Sequence, residues 1–163
     1  MKRVAVIALV CYLAFALEFL LYNFWGRWGK PELLILVVIF FNLYLGIRFS
    51  IIAAVFCGIF KDALGVAPLG TYMLVYIAGS YLTTFVRQYL YQPGSRLSRA
   101  WVAFFVVVGC FIVQVIVSNM DHEVRLSELL LYILLPQLVI TMIAATYVFA
   151  QLRNISVFFA LKT

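Results

Sequence analysis

The sequence predicts an all-α, polytopic membrane protein with six transmembrane helices and both termini in the cytoplasm. Three observations predict it. Hydrophobic residues make up 67% of the 163 positions. They gather into six apolar runs, Val4–Trp25, Pro31–Ile47, Phe49–Leu64, Thr71–Val86, Trp101–Asn119 and Leu129–Gln151. Most of the charges fall between the runs or at their ends, almost sorted by side. With six crossings, Lys2, Arg3, Arg48, Arg87, Arg96, Arg99, Arg153 and Lys162 share one side with no acid among them. The other side holds Arg27, Lys30, Lys61 and Arg125 against Glu32, Asp62, Asp121, Glu123 and Glu128. Short loops rich in Lys and Arg stay in the cytoplasm, which orients the chain.

A helix crossing a ~30 Å hydrocarbon core needs about 20 residues. The first, fifth and sixth runs reach that length and the middle three are shorter. The chain reads as one integral membrane domain over residues 1–163, with no connection long enough for a soluble domain. A net charge of +6 in a soluble protein would suggest nucleic acid. Here the basic residues lie at membrane edges, where anionic lipids attract them, so the bilayer and not nucleic acid is the expected partner.

The first run begins Met1-Lys2-Arg3 and passes through Ala14-Phe15-Ala16, as a cleavable signal would. It continues through Leu17, Phe19, Leu20 and Leu21 to a full spanning length, and a retained first helix is expected. Its end, Tyr22, Phe24, Trp25 and Trp28 with Gly26 and Gly29, marks the outer interface, and Trp101 marks the inner one. The second and third runs meet in a tight hairpin at Gly46–Ser50. Gln92-Pro93-Gly94-Ser95 is a turn signal between the fourth and fifth. In the sixth, Ser127 supplies a helix start and Pro136 a kink, because proline removes an i→i−4 bond.

Ionisable groups at membrane depth cost from about 2.5 kcal/mol upward at mid-bilayer, so each needs a partner or a purpose. Glu18 lies about 10 Å below Trp25 by helix rise. It is either a buried acid facing the bundle and paired with a base, or a carboxylate reaching the interface through local water. The apolar part of the third run, Phe49–Phe60, spans only about 18 Å, so the helix must continue through Lys61 and Asp62. Ala54, Gly58 and Asp62 fall at i, i+4 and i+8 on one face, where small residues allow close helix approach. Asp62 then enters a helix interface as a hydrogen-bond or ion-pair acceptor, or else stays an interfacial charge at a helix end. It precedes Gly65-Val66-Ala67-Pro68-Leu69-Gly70, whose glycines and proline make irregular backbone with exposed amides that a carboxylate can accept. Asn42, Gln114, Gln137 and Thr141 are neutral polar groups expected to hydrogen-bond across helices.

No catalytic, cofactor or metal site is expected. His122 is the only histidine. Cys11, Cys57 and Cys110 fall in separate helices with no metal-like spacing, and no second histidine or intramembrane cysteine pair is there to build a metal site. No serine has a plausible base, and no glycine loop or paired carboxylates suggest turnover.

The run Pro31-Glu32-Leu33-Leu34, with Gly58, Asp62, Gly65, Pro68-Leu69-Gly70 and Tyr72, resembles the bacterial rod shape-determining protein MreD family. Lys61 departs from that pattern, where an apolar residue is commoner. The resemblance implies a non-enzymatic subunit of the elongasome in the bacterial inner membrane. Its implied direct partner is MreC, with MreB filaments, RodA and the elongation-specific penicillin-binding protein reached indirectly. It also implies a fold similar to the substrate-binding components of energy-coupling-factor vitamin transporters, and such a component is the alternative function. The residues expected to build the structure or a partner interface are Glu18, Ala54, Gly58, Asp62, Gly65, Pro68 and Gly70.

Overall fold

The computed structural model describes residues 2–25, 31–64, 70–90, 96–119 and 135–158. Among them lie six α-helices and no strand: α1 (Lys2–Trp25), α2 (Leu33–Leu45), α3 (Ile47–Leu64), α4 (Thr71–Leu90), α5 (Arg96–Asn119) and α6 (Leu135–Phe158). Two carry windows long and apolar enough to cross a membrane, Val4–Leu21 at mean hydropathy 2.6 and Ser98–Ile116 at 2.2.

Helix α2 is the axis of the fold. Its sequence, LLILVVIFFNLYL, is apolar all round, and a helix of that kind must be covered on every side. Leu33 through Leu43 are all buried, and α1, α3, α4, α5 and α6 each pack against it. The peripheral helices turn large apolar side chains outward, among them Leu9, Leu13, Leu17 and Leu20 on α1 and Leu74, Tyr81 and Phe85 on α4. Apolar surface on this scale suits a hydrocarbon surround.

The helix ends differ from the apolar runs in a consistent way. Helix α4 continues to Leu90, past the expected end at Val86, and α5 starts at Arg96 instead of Trp101. The helices run on through Arg87 and Arg99 because α2 receives their side chains: Arg87 donates to Asn42 O at 3.0 Å and Arg99 to the Tyr44 hydroxyl at 2.9 Å. The hairpin between α2 and α3 is tighter than the five residues expected. Gly46 alone breaks the helix at φ +90°, its N–H donates to Asn42 O at 3.1 Å, and α3 begins at Ile47. Pro136 is the second described residue of α6. Residues 129–134, Trp28, the turn at 92–95 and the 121–128 connection with His122 lie outside the described residues.

Candidate functional site, a buried charge cluster at two helix starts

The first amides of any helix lack intrahelical acceptors and need a cap. Helix α4 is preceded by Gly70, at φ +98°, which has no side chain to offer. The cap comes from α3. Asp62 Oδ2 accepts the N–H of Gly70 at 2.9 Å and of Met73 at 3.3 Å, and Oδ1 accepts that of Tyr72 at 3.0 Å. A carboxylate suits this place because the start of a helix carries partial positive charge.

Helix α2 shows the same arrangement. Its N-cap residue, Glu32, makes no side-chain cap of its own. Glu18, from α1, accepts the Leu34 N–H through Oε2 at 3.2 Å. Each of two helices therefore begins against a carboxylate from the helix before it.

Lys61 joins the two capped starts. Its ammonium lies 3.3 Å from Glu18 Oε1 and 3.0 Å from Glu32 Oε1. It also sits over the rings of Tyr72 at 5.0 Å and Tyr76 at 5.6 Å, a cation–π arrangement. Glu18 is 5% exposed, Lys61 7% and Asp62 6%. Those values select among the readings open from sequence: Glu18 faces the bundle and is paired with a base, and Asp62 lies in a helix interface. The remaining helices reach the same place. Gln114 on α5 donates to the Tyr72 hydroxyl at 3.1 Å, and the Glu32 N–H donates to Thr141 Oγ1 on α6 at 3.2 Å. All six helices contribute a residue to the cluster or its immediate partners.

The Ala54–Gly58–Asp62 face packs on α4. A Cβ placed on Gly58 would stand 2.4 Å from Met73 Cα, so the two backbones touch and no side chain fits between them. Ala54 is fully buried one turn earlier. Close contact here sets the height at which Asp62 meets the first amides of α4. Gly65 and Pro68 lie outside the described residues.

A second polar network lies farther along the same helices. Asn42 Nδ2 donates to Ser80 O at 2.8 Å and Thr84 Oγ1 at 2.9 Å. Ser50 Oγ lies 3.0 Å from Val38 O and 2.9 Å from Ser80 Oγ, with one proton to share between them, and Arg87 donates to Asn42 O. Asn42, Gln114 and Thr141 thus bond across helices, while the side chain of Gln137 is not among those described. Cys11, Cys57 and Cys110 are buried free thiols, and among the described residues no group of three or more His, Cys, Asp or Glu side chains could hold a metal.

Sequence reasoning singled out neither Lys61 as the bridge nor Glu32, Tyr72 and Tyr76 as its surroundings. A signal was present: Lys61 is a base that the short apolar part of the third run draws into the membrane edge, near the depth of Glu18 and Glu32.

An all-helical chain with apolar exterior and charges paired inside is the pattern of a helical membrane protein. The chain belongs to the MreD family: the family model described as rod shape-determining protein MreD matches residues 2–156, nearly its whole length. Comparison with curated proteins found no match, and neither did comparison with solved structures. Membership makes this a cell-shape protein of a membrane family.

Proposed function

We propose that this chain is a non-enzymatic, six-span subunit of the bacterial elongasome in the cytoplasmic membrane. It associates directly with MreC and, through it, with MreB filaments, RodA and the elongation-specific penicillin-binding protein, supporting lateral peptidoglycan synthesis. The observation that carries the reading is the family match over residues 2–156. The geometry supports a scaffolding role. Asp62, Glu18 and Lys61 are engaged by helix starts and by one another, so these charged groups hold the bundle together. The eight-to-four division of basic residues supports cytoplasmic termini.

Two experiments test this. Purification of the tagged chain from membranes should recover MreC, and recovery of a transporter ATPase module in its place would favour the substrate-binding component. Reporter fusions after Arg99 and Thr163 should read cytoplasmic and a fusion at His122 external. An external signal from the Thr163 fusion would remove the six-span topology.

A further inference from the structure

The surroundings of Lys61 have the composition of a binding site. Two carboxylates stand at 3.0 and 3.3 Å from its ammonium, and two tyrosine rings lie within 5.6 Å. Carboxylates combined with aromatic faces are the chemistry by which proteins bind free ammonium ions. A further group points the same way. The Tyr76 hydroxyl is buried without a hydrogen bond of good geometry, within electrostatic reach of Lys61, Glu32 and Glu18. Buried tyrosine hydroxyls usually find a partner, so packing alone does not account for its position.

We propose that Glu18, Glu32, Tyr72 and Tyr76 form a binding site for a primary ammonium group, and that Lys61 occupies it as a tethered ligand. The inference concerns the site itself and does not depend on association with MreC. The stoichiometry is consistent with it. Two carboxylates and one ammonium leave one formal negative charge, opposite the positive end of α2 that Glu18 caps. A primary ammonium offers three N–H donors, enough for both carboxylates with one to spare. With Lys61 in place the site is filled from within the chain, and this part of the bundle needs no diffusible cation to be stable.

The test is chemical rescue in the full-length protein in detergent. Lys61→Ala should lower Tm by roughly 6–20 °C, the expected result of leaving two buried carboxylates without a counter-charge. Adding n-propylammonium chloride should restore about half of that loss or more, because a ligand that binds only the folded state stabilises it. Sodium chloride and tetramethylammonium chloride at the same ionic strength should restore none, and the native protein should respond to none of the three. Equal effects of propylammonium and sodium would overturn the proposal. A second variant covers the case in which Lys61→Ala yields no folded protein. Lys61→Met combined with Glu18→Gln should be more stable than Lys61→Met alone, since it removes an unmatched charge. A double variant no more stable than the single one, or a Lys61→Met protein as stable as the native chain, would likewise overturn it.

Discussion

Asp62 and Tyr72 stand on consecutive helices, and the Asp62 carboxylate accepts the Tyr72 amide at 3.0 Å. Lys61, the residue just before Asp62, lies over the Tyr72 ring at 5.0 Å. Two neighbouring charges on α3 thereby hold the backbone and the side chain of one residue on α4. The entry of α4 into the bundle and the ion cluster around Lys61 are parts of one structure, and the predictions below separate them.

Removing the cap should cost more than neutralising it. Asp62→Ala leaves the Gly70, Tyr72 and Met73 amides without their acceptor, at about 1–3 kcal/mol for a buried donor left unpaired. Asp62→Asn keeps one acceptor oxygen and should lose less. Thermal unfolding in detergent should rank native, Asn and Ala in that order. An Ala variant as stable as the native protein would mean the amides find other partners.

Glu18 has two duties that substitution can divide. Glu18→Gln retains an oxygen for the Leu34 amide and loses the ion pair with Lys61, whereas Glu18→Ala loses both. Breaking a buried pair by removing one partner costs about 3–5 kcal/mol. The Gln variant should fall between the native and Ala proteins, and Glu32, which also meets Lys61, should keep its loss below that range. The check is the denaturant midpoint of the three proteins.

Gly58→Ala should destabilise although alanine is the better helix former, because the added methyl would overlap Met73 Cα. Overpacking of this kind costs about 1–3 kcal/mol, and Gly58→Leu should be worse. Improved stability on Gly58→Ala would mean that α3 and α4 are farther apart than described.

The second network should matter less. Ser80→Ala removes a hydroxyl that accepts from Ser50 and donates to Tyr76 O. Interhelical hydrogen bonds in membranes average roughly 0.6 kcal/mol, so the midpoint should shift by little beyond error. A loss as large as that of Asp62→Ala would move the energetic centre of the bundle toward Asn42 and Ser50.

The helices were legible as apolar runs, and their ends were misjudged where arginines continue the helix, as at Arg87 and Arg96. Hydropathy reports the apolar part of a helix and does not register polar residues that carry its backbone bonds outward. The shared face of Ala54, Gly58 and Asp62 was legible because helical period alone creates it. Its contact with Met73 was not, since no local pattern names the helix across the interface. The same limit hid Lys61. Its partners sit on α1 and at the start of α2, and only the packing of three helices brings them within 3.3 Å.

We propose that MreC binding depends on the α3–α4 junction, and copurification of MreC with variant chains tests this most directly. Asp62→Ala and Gly58→Leu should each reduce the MreC recovered per molecule of membrane-embedded protein and leave cells rounded. Arg96→Ala should leave MreC recovery and rod shape unchanged. Native MreC recovery and normal rods from both junction variants, with loss of both in Arg96→Ala, would contradict the account and move the interface to the segment between α4 and α5.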